Sequence, residues 1–221
     1  MFNKIVLTTV SAGIFLGSSM TASALEPVWK FLEAELTPVS GKLGRIQKIE
    51  LNRSRNQGLR SILIYEDKNR PCKLVLGPKN LYSESTQSEN THAYNDNEAN
   101  KCKGSPGDLI TAGWSDSKSS DQSSRYYIRG IATCASKVAK NRDRIKGIRV
   151  VAAKVWETKR EVEALATTDI GKQANCDEEW HETVYCDSGR VAVGVNIHWS
   201  SENAITGIAL RCGYISWLGS S

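Results

Sequence analysis

The sequence is poor in the features that mark metal-binding, membrane-spanning and classical hydrolytic proteins. It has three histidines, no Cys-x-x-Cys pair and no Gly-x-Ser-x-Gly motif among 221 residues. These absences argue against a structural zinc site and a nucleophile-elbow hydrolase, so we expect no metal and no cofactor. Apolar runs after residue 24 are too short to cross a bilayer. The net charge of +5 is too small for a nucleic-acid-binding protein, so we expect no nucleic-acid partner.

Helical patterning is equally scarce. It is confined to residues 28–36 and 161–166, each long enough for a helical turn or two. All five prolines lie before residue 107, so the later half of the chain can form unbroken strands. The dominant pattern is a short run of alternating apolar and polar residues, which is typical of a half-buried strand. The sequence therefore predicts an all-β protein.

The first 24 residues have the pattern of a secretory signal peptide. Lys4 supplies a positive charge, an apolar stretch covers residues 5–16, and Ala22-Ser23-Ala24 is a small-x-small cleavage site. We predict that residues 1–24 are removed and that residues 25–221 form one domain. All six cysteines follow residue 24, which agrees with an oxidising compartment. The predicted location is secreted or periplasmic.

Three segments of the chain read alike. Their paired alternating runs are Arg45–Leu51 with Leu59–Tyr65, Tyr127–Thr133 with Ile145–Val151, and Val191–Ile197 with Ile205–Arg211. The second segment carries four extra residues between its runs. We predict three antiparallel sheets, one for each segment, with repeat cores at about residues 44–66, 126–152 and 186–212. The side chains expected to face a shared apolar centre are Ile49, Ile62, Ile131, Ile148, Val195 and Ile208.

Six cysteines allow 15 pairings, and the expected strand geometry selects among them. The predicted pairs are Cys72–Cys102, Cys134–Cys176 and Cys186–Cys212. The first pair brackets a long polar stretch, and the last closes the open end of the third hairpin. A rival set joins Cys176 to Cys186 and Cys134 to Cys212, and both sets stay open at this stage.

The third segment resembles the repeat of the vitelline membrane outer layer protein family. The resemblance is carried by Trp180, Cys186-Asp-Ser-Gly189, Ala192-Val-Gly194 and Ala204-Ile-Thr-Gly-Ile-Ala-Leu-Arg-Cys212. It is clearest over residues 180–212, and the first segment lacks both flanking cysteines. The resemblance implies a β-prism, in which three sheets surround a pseudo-threefold axis and are held by disulfides.

The first segment is also similar, more weakly, to jacalin-type lectins. The similarity lies in Gly44-Arg-Ile and in the run Leu59–Tyr65. That family too has a β-prism of three sheets. Its sugar sites use a Gly-x-x-x-Asp loop near the C-terminus, and residues 212–219 of this chain contain no Asp. The resemblance therefore supports the fold and does not transfer that sugar site.

No group in the sequence stands out as catalytic. His198 follows a predicted strand, His181 lies between Trp180 and Glu182, and neither is placed beside a nucleophile. Adjacent carboxylates such as Glu178 and Glu179 are typical of a solvated surface. We predict no catalytic residues and a protein that is not an enzyme.

Tryptophan is abundant, with six residues. Sugar-binding proteins use exposed tryptophan faces against pyranose rings, although most tryptophans pack in cores. Trp199 lies in the turn between two predicted strands, where a buried position is hard to arrange, and Asn203 closes the same turn. We predict Trp199 and Asn203 as ligand-binding residues.

Basic residues cluster after the first run of the second segment and at the start of its second run. The members that we single out are Lys137, Lys140, Arg142, Arg144 and Lys146. Strand alternation should aim Lys146 away from its hydrophobic neighbours. The cluster is either a solvated hairpin tip or a patch for an anionic glycan or lipid head group.

These patterns favour a secreted, non-enzymatic β-prism that binds carbohydrate or a cell-surface glycoconjugate. The alternative is a structural or interaction protein of an envelope or extracellular layer, without a small-ligand site. A glycan-active enzyme is the third hypothesis.

Overall fold

The computed structural model describes residues 28–51, 57–67, 69–80, 92–94, 102, 109–113, 124–136, 138, 142–156, 161–164 and 180–218. These residues form thirteen strands in three antiparallel sheets and no helix. The predicted signal peptide, residues 1–24, lies outside the described residues. The all-β prediction is confirmed for the part of the chain described.

Each sheet is a hairpin flanked by further strands. Sheet 1 contains β1 (Val28–Leu36), β2 (Ser40–Gly41), β3 (Arg45–Glu50), β12 (Arg190–Trp199) and β13 (Ile205–Leu218). Sheet 2 contains β4 (Gln57–Asp67), β5 (Arg70–Asn80), β6 (His92–Tyr94) and β7 (Leu109–Gly113). Sheet 3 contains β8 (Ser124–Ala135), β9 (Ile145–Trp156), β10 (Glu161–Ala164) and β11 (Val184–Tyr185).

The three sheets share one strand order. The orders are β1–β13–β12–β3, β6–β5–β4–β7 and β10–β9–β8–β11, with β2 added beside β13 in sheet 1. The central hairpins are therefore β12–β13, β4–β5 and β8–β9. The strands β3, β7 and β11 each flank the first strand of one hairpin and then lead into the hairpin of the next sheet. This cyclic connectivity is a β-prism with internal pseudo-threefold repetition.

Matching β-bulges show the repetition in the backbone. The register of each hairpin shifts first at Leu59/Ser61, Ile128/Gly130 and Ala192/Gly194. It shifts a second time at Tyr65/Glu66, Cys134/Ala135 and His198/Trp199, at the same distance from the first shift in all three hairpins. Bulges increase the local twist of a strand pair, so the three hairpins bend alike. The strands β4, β8 and β12 are thus equivalent.

The first repeat segment is split between two sheets. Ile49 of β3 lies opposite Val195 of β12, whereas Ile62 of β4 lies opposite Leu76 of β5. The prediction that residues 45–65 form a sheet of their own is therefore wrong. Alternation identifies a strand and its buried face, but it does not identify the partner strand. The prediction of four extra residues in the second hairpin is confirmed, since its connection spans residues 136–144 against 200–204 in the third.

Two segments with helical patterning are strands. Residues 28–36 pair with β13, and residues 161–164 pair with β9. Each lies at the edge of a sheet, where backbone pairing with a hairpin strand overrides a weak local preference. In the third hairpin, Val195 faces Leu210 and Ile197 faces Ile208.

The predicted apolar centre is confirmed. Each predicted core residue is at most 2% exposed and belongs to one cluster: Ile49, Ile62, Ile131, Ile148, Val195 and Ile208. All three sheets contribute to this cluster. Burial of such side chains is the main stabilising contribution to a fold of this kind.

Two disulfide bonds cross-link the described part of the prism. Cys72 is bonded to Cys102 and Cys186 to Cys212, with Cα separations of 5.6 and 5.5 Å, and both pairs are among those predicted. Cys134 is also disulfide-bonded. Its predicted partner, Cys176, lies outside the described residues. The disulfides are consistent with an oxidising compartment.

Candidate functional site

A groove of about 620 Å³ opens at the end of the prism that carries the β8–β9 and β12–β13 turns. Three connections build it: β2–β3, β8–β9 and β12–β13. We call it the three-loop groove. Its lining residues are Lys42, Leu43, Gly44, Arg45, Arg142, Asp143, Arg144, Trp199, Ser200, Ser201, Glu202 and Thr206.

The β2–β3 connection is fixed against sheet 1. The Lys42 backbone N–H donates to the Thr206 carbonyl oxygen at 2.9 Å, and the Thr206 hydroxyl donates to the Lys42 carbonyl oxygen at 3.2 Å. A Cβ atom added to Gly44 would lie 2.3 Å from the Trp199 carbonyl oxygen, so only glycine allows this approach. Upstream, the Ser40 hydroxyl accepts the Thr133 backbone N–H at 2.8 Å, which joins this segment to sheet 3.

The β12–β13 turn is held by its own hydrogen bonds. The Ser200 hydroxyl accepts the backbone N–H groups of Glu202 and Ala204, both at 3.2 Å. The Ser200 backbone N–H donates to the Ala204 carbonyl oxygen at 2.8 Å. Asn203 has a φ of 56°, a left-handed conformation that asparagine tolerates better than most residues. These bonds give the turn a defined shape.

Two ion pairs tie the three loops together. Lys42 Nζ lies 2.5 Å from Asp143 Oδ2, which joins the β2–β3 and β8–β9 connections. Arg144 Nη2 lies 2.5 Å from Glu202 Oε2, which joins the β8–β9 and β12–β13 connections. Asp143 adopts a φ of 71°, which turns the chain back toward β9. Both acidic side chains of the groove are therefore engaged by cations of a neighbouring loop.

The structure corrects the expected position of Trp199. Trp199 is the last residue of β12 and is 1% exposed, so it does not present a ring face to solvent. Its indole Nε1–H donates to Gln47 Oε1 at 3.1 Å, and the residue forms part of the core behind the groove. The sequence did contain a signal, because Val195, Ile197 and Trp199 alternate on one face of the strand.

Asn203 lies where the sequence analysis expected it, in the turn after Trp199. It is half-buried, and its Oδ1 accepts a hydrogen bond from Arg45 Nη2 at 3.3 Å. Arg45 is a lining residue that sequence reasoning missed, as are Lys42, Gly44 and Ser200. A local signal was present, since Gly41 and Gly44 bracket a tight connection before β3.

The basic cluster predicted from the sequence is only partly a surface. The prediction that Lys146 belongs to a surface cluster is wrong, because its side chain is only 3% exposed. Its Nζ lies 2.7 Å from Oε1 of Glu66, whose side chain is 7% exposed. Lys146 lies at the second register shift of the β8–β9 hairpin, which places it inside, against sheet 2. Arg142 is exposed and Arg144 pairs with Glu202. Lys137 and Lys140 lie outside the described residues.

His198 is buried beneath the β2–β3 connection. Burial lowers the pKa of His198 below its ordinary value of 6.5. Its Nδ1 accepts the Gly44 backbone N–H at 3.2 Å, which requires that nitrogen to be unprotonated. Among the described residues, no group of three or more His, Cys, Asp and Glu side chains is placed to hold a metal ion.

No protein-family model matches the chain, and no curated protein matches it in sequence. The resemblance to the vitelline membrane outer layer family therefore stays a prediction. In the described part of the chain, no helix has the length and apolar character needed to cross a membrane.

Several solved β-prism lectins are similar in structure. Calystegia sepium agglutinin has 12% identity, a TM-score of 0.46 and coverage of 82% of this chain and 97% of that one. A mannose-specific jacalin-related lectin from Morus nigra, solved with mannose, has 9% identity, a TM-score of 0.45 and coverage of 82% and 96%. A mannose-binding jacalin-related lectin from Ananas comosus has 10% identity, a TM-score of 0.42 and coverage of 81% and 96%.

Proposed function

We propose that the protein is an exported, non-enzymatic β-prism that binds a carbohydrate or a cell-surface glycoconjugate in the three-loop groove. The observation that carries the proposal is the groove itself. Its volume of about 620 Å³ lies in the range that accommodates small ligands. Its lining offers hydroxyl, guanidinium, ammonium and carboxylate groups beside the exposed side chain of Leu43. A pyranose presents hydroxyls at its edge and apolar C–H groups on its faces, and this lining offers partners for both.

Pre-organisation of the loops supports binding. The hydrogen bonds of Ser200 and Thr206 and the ion pairs of Asp143 and Glu202 fix three connections relative to one another. A site that is already ordered loses less conformational entropy when a ligand binds. An ordered groove can therefore bind a polar ligand that makes only weak individual contacts.

Two residues predicted from the sequence take different parts in this proposal. Asn203 is retained as a proposed ligand contact, since its Oδ1 is hydrogen-bonded to the lining residue Arg45. Trp199 supports the wall from behind and shapes the site through packing and its bond to Gln47.

The buried histidine supports a non-enzymatic role. A general base needs an accessible nitrogen within reach of its substrate. His198 is 2% exposed, and its Nδ1 is occupied by the Gly44 backbone N–H. Export through a cleaved signal peptide of residues 1–24 is part of the proposal, and the disulfides agree with it.

We also propose that the chain is related to the vitelline membrane outer layer family. The segment that carries the resemblance, residues 180–212, contains β11, β12 and most of the paired part of β13, and it includes the Cys186–Cys212 bond.

A glycan array followed by calorimetric titration tests the proposal. Ser201→Trp places a bulky side chain on an exposed groove residue, and Ser188→Trp makes the same change in an exposed turn outside the groove. We expect the wild type and Ser188→Trp to bind the same saccharide, and Ser201→Trp to bind at least about tenfold more weakly. The absence of any saccharide binding by the wild type, or equal binding by both variants, would refute the proposal.

A further inference from the structure

We infer that the saccharide taken by the three-loop groove carries an anionic substituent, a carboxylate or a sulfate ester. This inference rests on the function proposed above and names the class of its ligand. The charges that the three loops bring together support it, and they differ from the basic cluster seen along the sequence.

The groove has an excess of positive charge. Four of its lining residues are cationic, Lys42, Arg45, Arg142 and Arg144, and two are anionic, Asp143 and Glu202. The lining therefore carries a formal charge of +2, compared with +5 for the entire 221-residue chain. A cleft lined by one sign of charge concentrates field and raises the local concentration of oppositely charged ligands.

The two carboxylates are placed so that they do not repel an incoming anion as isolated charges would. Asp143 is engaged by Lys42 and Glu202 by Arg144, each at 2.5 Å. Each pair is close to neutral at a distance, and each links two loops. What a ligand meets beyond these pairs is the exposed guanidinium of Arg142.

Arg142 is the best-placed contact for an anion. Its side chain is exposed on the groove, and no carboxylate within the described ranges forms an ion pair with it. Arg45, the first residue of β3, donates to Oδ1 of Asn203. A guanidinium presents parallel N–H donors that match the oxygens of a carboxylate or a sulfate. Ser200, Ser201 and Asn203 then provide partners for hydroxyls of the same sugar.

Matched pairs of oligosaccharides test the inference with calorimetry on the full chain. One arm compares oligogalacturonate with its methyl ester, which removes the carboxylate charge. The other compares a κ-carrageenan oligosaccharide, whose only charged groups are sulfate esters, with its desulfated, neutral form. The two arms distinguish a carboxylate from a sulfate as the recognised group.

We expect at least one anionic member to bind about tenfold or more tightly than its neutral partner, with an affinity that falls as salt is raised. Arg142→Gln should remove most of that difference. Arg190→Gln, which deletes an equal charge paired with Glu35 away from the groove, should leave it unchanged.

Equal affinity for charged and neutral partners, or salt-independent binding, would overturn this inference and leave the carbohydrate-binding proposal standing. Failure of every saccharide to bind would overturn both. A preference for anions that survives Arg142→Gln and Ser201→Trp would place the anion site elsewhere and would also overturn the inference.

Discussion

Lys146 of β9 and Glu66 of β4 form a buried ion pair, with Nζ 2.7 Å from Oε1, that joins sheet 3 to sheet 2. Removal of one partner leaves an uncompensated charge in the interior. We therefore expect Lys146→Met to destabilise the protein by about 3 to 5 kcal/mol in urea unfolding. The double variant Lys146→Met, Glu66→Leu should recover much of this loss.

The exposed pair of Lys42 and Asp143 is the control for that experiment. Lys42→Met should cost at most about 1 kcal/mol, because solvent screens the pair. Equal losses for Lys146→Met and Lys42→Met would contradict the buried position of Lys146.

Trp199 should behave as a core residue. We expect Trp199→Ala to lower the free energy of unfolding by about 3 to 5 kcal/mol, since it empties a buried volume and orphans Gln47. Leu43→Ala, at a side chain that is 72% exposed beside the same groove, should change stability by less than about 0.5 kcal/mol. A Trp199→Ala protein with wild-type stability would show that the indole is not packed.

The stability of the protein should fall in mild acid because of His198. The pKa of His198 is lowered in the folded protein, so the folded state resists protonation relative to the unfolded chain. Its contribution is fully present above the unfolded pKa of 6.5 and is lost as the pH falls toward the folded pKa. Urea unfolding between about pH 7.5 and pH 4.5 measures this loss.

His198→Asn is the matched variant for the pH series. Its Oδ1 can accept the Gly44 backbone N–H without titrating. The variant should show a shallower loss of stability below pH 6.5 than the wild type. Identical pH profiles for the two proteins would exclude His198 as the group responsible.

Disulfide mapping without reduction tests the third predicted bond. The digest should contain peptides linking Cys72 to Cys102, Cys134 to Cys176 and Cys186 to Cys212. A peptide linking Cys176 to Cys186 would contradict both the described Cys186–Cys212 bond and the predicted pairing of Cys134.

Alternation along the sequence predicted six of the strands and the core, whereas β1 and β10 carried helical patterning. Ile131, Ile148, Val195 and Ile208 each occupy the buried face that their period-two pattern indicates. The partner of β3 was beyond this reasoning, because the contact between Ile49 and Val195 spans most of the chain and leaves no local trace. The hairpin prediction failed for the first segment as a whole, since its second strand, β4, pairs with β5.

The site was harder to predict because equivalent repeat positions carry different chemistry. Glu66, Ala135 and Trp199 each follow the second bulge of their hairpins. One forms a buried ion pair, and another packs behind the groove. Likewise, Lys42 and Asp143 form an ion pair because connections of sheet 1 and sheet 3 lie side by side. No spacing within one loop predicts such a contact.

The central claim is that a saccharide occupies the three-loop groove, and a ¹⁵N heteronuclear NMR titration tests it most directly. The titrant is the saccharide with the strongest array signal. We predict that the largest shift changes fall on the backbone amides of Lys42–Arg45, Arg142–Arg144 and Ser200–Asn203, while those of Asp187–Arg190 stay unchanged. Changes centred on Asp187–Arg190, with the three loops unaffected, would contradict the account.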